Sequence, residues 1–190
     1  MKPHYVLLAA LATSSLLAIA GPPEKLPAAW TVSGPSPQKF SSGVETSDVG
    51  GVRGAKFLRN KSEDAQTWGA LTQQISAQRY LGQRLQFKAR IKTADISNYA
   101  GLWMRVDTPA RHGAAFYNSV DKPIRGSTNW QERTVTLDVP ADASIVSFGV
   151  IGSGKGQVWI DALTLEPVGR DVPVDRMSGR QRPLPDKPTL

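Results

Sequence analysis

Tyr99-Ala-Gly-Leu-Trp-Met-Arg-Val-Asp107 decides the fold. Leu102, Met104 and Val106 alternate with Trp103, Arg105 and Asp107, the period-two pattern of a half-buried strand. One face of that strand is aliphatic and belongs to a core. The other sets an indole, a guanidinium and a carboxylate in a row. Upstream, residues 84–93 repeat the pattern, with Leu85, Phe87, Ala89 and Ile91 facing one way and Arg84, Gln86, Lys88, Arg90 and Lys92 the other. Downstream, residues 132–139 turn Val135, Leu137 and Val139 inward until Pro140 stops the run. Shorter stretches at 29–32, 40–49, 55–59, 68–75, 114–120, 145–151 and 157–165 read as further strands. Residues 76–82, 94–98, 121–129 and 152–156 read as their connections. About nine or ten short strands with a turn signal roughly every 8–12 residues predict an all-β chain. The expected architecture is a jelly-roll β-sandwich of two antiparallel sheets, with an immunoglobulin-like topology as the alternative.

The ends of the 190-residue chain differ from its middle. Lys2 precedes an apolar run from Tyr5 to Ala20, interrupted by Thr13, Ser14 and Ser15 and closed by Ala18-Ile-Ala20. This is the pattern of a secretory signal cleaved after Ala20. The run is shorter than the roughly 20 apolar residues a spanning helix needs, so no membrane span is expected after cleavage. The expected division is a signal peptide at 1–20, a linker at 21–27, the sandwich at 28–167 and a disordered Pro/Arg-rich tail at 168–190. The chain has no cysteine, so an exported domain must stand on its core without disulfides, and thiol catalysis is excluded. The expected compartment is the periplasm or the surrounding medium. The formal charge of +7 is spread without a dense run. With an export signal, that argues against a nucleic-acid partner.

No catalytic constellation emerges. His112 is the only histidine after residue 20, in the loop Pro109-Ala-Arg-His-Gly113, which offers neither a triad nor a zinc ligand set. Asp107 and Asp121 are the best carboxylate pair for glycoside chemistry, but Asp121 sits before Lys122-Pro123 as a turn former. Gly152-Ser-Gly-Lys-Gly156 lacks the strand-to-helix setting of a phosphate loop. The chain is therefore expected to be no enzyme and to use no cofactor or metal ion. Aromatic residues carry the stronger signal, because sugars present apolar C–H faces edged with hydroxyls. Tyr99, Trp103, Arg105, Asn118, Arg125 and Trp130 supply flat and planar hydrogen-bonding groups on neighbouring strands or loops. Trp30, Trp68 and Trp159 read as core or rim residues, a reading also open to Trp130 and to Trp103, whose indole could stack on Arg105 as structure alone.

A set of segments carries a resemblance. They are Arg79-Tyr-Leu-Gly82, Arg84-Leu-Gln-Phe87, Ala100-Gly-Leu-Trp-Met-Arg-Val-Asp107, Ala115-Phe-Tyr-Asn118, Asp121-Lys-Pro-Ile-Arg-Gly126, Thr128-Asn-Trp130, Leu137-Asp-Val-Pro140, Phe148-Gly149 and Gly156-Gln-Val-Trp-Ile-Asp161. The chain resembles exported bacterial jelly-roll domains, similar in architecture to carbohydrate-binding modules and the galactose-binding-like fold. The resemblance implies a non-catalytic module for a carbohydrate or related polar ligand. The alternative is a structural or interaction domain that meets an envelope protein. Such sandwiches often hold calcium through an acidic pair near the last strand. Here Asp161 is followed by Ala162, which leaves Glu45 or Asp48 as its possible companion or makes it a carboxylate that closes a turn.

Overall fold

The computed structural model describes residues 22–177. Residues 1–21, which include the expected signal peptide, and residues 178–190 of the expected tail lie outside the described residues. Nine strands follow in order: β1 (Trp30–Ser33), β2 (Phe40–Val44), β3 (Lys56–Asn60), β4 (Trp68–Ser76), β5 (Arg84–Asp107), β6 (Ala115–Tyr117), β7 (Ile124–Asp138), β8 (Ile145–Ser153) and β9 (Gln157–Val168). Every pairing is antiparallel. No helix among the described residues is long and apolar enough to cross a membrane.

Strand β5 organises the molecule because it belongs to two sheets. Its first half pairs with β7 and β9, and its second half with β8 and β6. The first sheet therefore runs β1-β4-β8-β5-β6 and the second β7-β5-β9-β3-β2. The fold is a jelly-roll β-sandwich. The two strands expected at 84–93 and 99–107 are one continuous element of 24 residues. The expected loop at 94–98 is the bend between sheets, with Asp95 at φ 55° and its register against β7 slipping three times between Ile91 and Ala100. Ile96 turns inward there, which explains why polar neighbours can remain in a strand. Strand β7 likewise begins at Ile124, inside the expected loop 121–129, and accommodates Gly126 at φ 65°.

Both halves of β5 feed the core. Leu85, Phe87 and Ile91 from the second sheet meet Leu102, Met104 and Val106 from the first, all fully buried. Phe87 packs on Phe148 with ring centres 5.0 Å apart. Burying one such side chain stabilises the fold by about 1.5–3 kcal/mol, which is what a chain without disulfides must rely on.

The ends are tied down further than composition suggests. In the expected linker, Glu24 exchanges two backbone hydrogen bonds with Val44, and Leu26 packs on the core. The expected disorder from 168 does not hold for residues 168–177. β9 continues to Val168, and the following segment lies along β5 and β7. Arg84 donates to the carbonyls of Arg170 and Val172 at 2.7 and 2.6 Å. Asp175 accepts from the Thr136 amide and donates its own amide to the Thr136 carbonyl. Val174 and Met177 pack against the core. Two apolar anchors and a set of backbone partners are enough to order a segment whose average composition is polar.

Candidate functional site

The register of the first sheet sets its outer face as a grid. Across it, Trp68 lies opposite Ser153 and Tyr99, Ala70 opposite Ile151 and Gly101, Thr72 opposite Gly149 and Trp103, and Gln74 opposite Ser147 and Arg105. Ser33 flanks Ala70 on one side, and Phe116 flanks Arg105 on the other. The middle positions are small and the outer ones large, so the face is a groove. It encloses about 550 Å³, lined by Ser33, Gly34, Trp68, Ala70, Tyr99, Trp103, Arg105, Phe116, Asn118 and Ile151.

Trp103, Ala70 and Ile151 form a buried apolar cluster separate from the main core, with Tyr99 packed against it. The Trp103 indole nitrogen is buried without a hydrogen-bond partner. Trp68 and Phe116 are 41 and 39 % exposed, so the groove carries open aromatic surface. Two glycines keep this geometry. A Cβ on Gly149 would come within 1.9 Å of the Leu71 carbonyl oxygen, and one on Gly101 within 2.6 Å of the Ser119 Cβ. Ser119, at φ 60°, donates its hydroxyl to the Leu102 carbonyl at 2.7 Å and so holds the loop carrying Asn118 beside β5.

The polar groups are preset. Arg105 reaches the buried carboxylate of Asp107 through Nε and Nη2, both at 2.9 Å. Asp107 also accepts the Gly113 amide at 2.7 Å and stands 3.6 Å from His112 Nδ1. Burial alone would raise the Asp107 pKa, but the Gly113 N–H, Arg105 and His112 together outweigh it and hold the carboxyl below its ordinary range. The guanidinium is thereby fixed in orientation while still a third exposed. Burial pushes the Tyr99 phenol up, so its hydroxyl stays protonated and able to donate.

Of the six residues expected to bind ligand, Tyr99, Trp103, Arg105 and Asn118 line this groove together. Arg125 does not; it donates Nε to the Asn98 carbonyl at 3.0 Å from the bend of β5. Trp130 lies on β7 in the second sheet, where its indole donates to the Val49 carbonyl at 2.7 Å and Arg90 sits 5.7 Å from its ring centre. Ser33, Gly34, Trp68, Ala70, Phe116 and Ile151 complete the groove and were not singled out from sequence as ligand residues. The outward parity of Trp68 and Phe116 in their strands was the available signal.

The carboxylates considered for a cation have protein partners. Asp161 bonds Arg90 at 2.6 Å. Glu45 accepts from Gln157 and from the Trp159 indole. Asp48 accepts the Gly51 amide at 2.7 Å. No cluster of three or more histidine, cysteine or acidic side chains suited to a metal ion occurs among the described residues.

No protein-family model matches the chain. Over 151 residues, 79 % of its length, the chain is 38 % identical to a Bacillus subtilis (strain 168) protein described as the uncharacterized HTH-type transcriptional regulator YbfP, and it spans about half, 51 %, of that protein. Among solved structures, the CBM22-1 xylan-binding domain of Paenibacillus barcinonensis Xyn10C superposes with a TM-score of 0.54 at 11 % identity, covering 76 % of this chain and 89 % of that one. The CBM22-1–GH10 modules of Clostridium thermocellum Xyn10B, complexed with xylohexaose, give 0.55 at 13 % identity, covering 78 % and 28 %. The chain thus shares the β-sandwich fold of carbohydrate-binding modules.

Proposed function

We propose that this protein is an exported, non-catalytic binding module that holds a carbohydrate or related polar ligand in the groove of the first sheet. The observation that carries the reading is the open aromatic surface of Trp68 and Phe116, with the buried Trp103 at the groove's floor, beside the fixed guanidinium of Arg105. That combination suits a ligand with apolar C–H faces and hydroxyl edges. None of the groove-lining residues is Asp, Glu or His, which supports binding without hydrolysis. An aromatic contact contributes about 0.5–1.5 kcal/mol and a charge-assisted hydrogen bond about 1.5–3. One or two of each, less ordering costs, correspond to dissociation constants of roughly micromolar to millimolar.

The relationship to a regulator favours a second use of the same groove, as the sensing part of a larger protein. A helix-turn-helix needs helices. The described residues hold only two short 3₁₀ turns, Pro37–Lys39 and Gln78–Tyr80. On that reading, the part in common with the regulator is this sandwich.

A glycan array with the full chain, with and without chelator, tests the reading, and xylohexaose is the first probe because of the solved xylan-binding neighbours. Binding to a subset of glycans that disappears in Trp103→Ala, with an unchanged circular dichroism spectrum, is the expected result. Absence of any glycan binding at millimolar concentration contradicts it.

A further inference from the structure

The sandwich has a second cavity, on the side where β6 and β7 are the edge strands of their sheets, each paired only with β5. It encloses about 340 Å³ and is lined by Tyr117, Ser119, Lys122, Arg133 and the β7 residues on either side of Arg133. Its polar groups are left over from the fold. Tyr117 is 1 % exposed, and its hydroxyl makes no hydrogen bond. Arg133 follows the inward parity of Val135 and Leu137, opposite the buried Ala89, and its Nε is buried without an acceptor.

Acidic groups border the cleft as well: Glu132 lines it and Asp121 neighbours the Tyr117 phenol. Lys122 is neutralised by Asp175 at 3.1 Å, and Glu132 sits 4.0 Å from Lys88. Arg133 has no carboxylate partner among the described residues. The free edge of β7 adds donors. Thr136 turns its amide and carbonyl outward to Asp175, so Thr134 and Glu132, two and four residues back, turn theirs the same way. Burial, and after it the neighbouring Asp121, hold the Tyr117 phenol protonated and able to donate. A buried guanidinium N–H without an acceptor is costly, and a planar carboxylate matches the donor fork of an arginine.

We propose that this cleft is a second ligand site, distinct from the groove, that takes the carboxylate of a small acid. Arg133 supplies the charge and the paired donors, Tyr117 donates its hydroxyl, and the Thr134 amide closes the third side. The cavity admits a molecule up to about the size of one sugar ring.

The test is an amide-resolved NMR titration of the full chain with glucuronate, acetate and glucose. Glucuronate, acetate or both move the amides of Tyr117, Arg133 and Thr134 saturably, and glucose does not. Acetate acting as well as glucuronate assigns the cleft to free small acids; glucuronate acting alone assigns it to acidic sugars. Arg133→Gln weakens binding at least about tenfold, the scale of one lost charge-assisted hydrogen bond. Tyr117→Phe keeps the ring and weakens binding several-fold, which decides the matter if the arginine variant does not fold. Trp103→Ala leaves these shifts unchanged, separating this site from the groove. Equal shifts with glucose, no shifts with any probe, or unaltered binding in Tyr117→Phe overturns the proposal.

Discussion

The two outer faces of the sandwich are built from the same kinds of residue and end in opposite states. Each carries tryptophans beside arginines on alternating strand positions. On the second sheet the residues between β2 and β3 fold over the face. Val49 accepts from the Trp130 indole, and Glu45 from the Trp159 indole. The arginines there are paired as well, Arg84 with Asp138 and Arg90 with Asp161. On the first sheet the loop after β5 covers Asp107, to which Gly113 donates, and Arg105 is paired with that carboxylate. The Trp103 nitrogen is left without a partner, and Trp68 and Phe116 stay open. Alternation tells which side chains point outward; whether a loop covers them decides between structure and site.

The difference breaks most severely at Gly149. A side chain there would meet the Leu71 carbonyl at 1.9 Å, a backbone atom that cannot step aside. Gly149→Ala should lower unfolding free energy by about 3 kcal/mol or more in urea titrations. Thr164→Ala, at an exposed position of the second sheet, should stay within roughly 0.5 kcal/mol.

A smaller effect is expected from cutting the chain after Val168. Val174 and Met177 are only partly buried, so their loss should cost about 1–3 kcal/mol and lower Tm by roughly 5 °C. Calorimetry checks this, and an unchanged Tm would mean that the segment along β7 adds nothing to the second sheet.

Acid sharpens the comparison. Asp107 on the first sheet and Asp138 on the second are both held below the ordinary carboxylate value of 3.8, the latter chiefly by Arg84. A depressed folded-state pKa contributes stability that is present above the unfolded value and lost as pH falls through the folded one. Stability should therefore decline as pH falls below about 4. Asp107 is buried whereas the Asp138 side chain is 45 % exposed and screened. Asp107→Asn should flatten the acid decline in urea midpoints more than Asp138→Asn does.

Much of this architecture was legible in the sequence, for a physical reason. Residues 84–93 alternate cleanly because one face of that half-strand is dry and the other half-exposed; Leu102, Met104 and Val106 alternate with Trp103, Arg105 and Asp107 in chemistry, although Trp103 and Asp107 are buried as well. The bend between them was not legible: Asp95, Ser97 and Asn98 have loop-like chemistry, and only pairing with β7 and β8 keeps them in a strand. Tyr99, Trp103 and Arg105 could be grouped because they share one strand. Ser33, Ala70 and Ile151 could not, since β1, β4 and β8 reach the groove through register rather than through any local signal. Trp130 looked equivalent to Trp103 because the group that satisfies it, the Val49 carbonyl, is 81 residues away in the chain.

The five tryptophans make the central claim measurable, because each indole N–H gives its own NMR signal. The measurement is a titration of the full chain with xylohexaose, cellohexaose and mannohexaose. A binding oligosaccharide should move the indole signals of Trp68 and Trp103 saturably and leave those of Trp30, Trp130 and Trp159 in place. Saturable shifts at Trp130 or Trp159 with Trp103 unmoved would put the ligand on the covered face and contradict it.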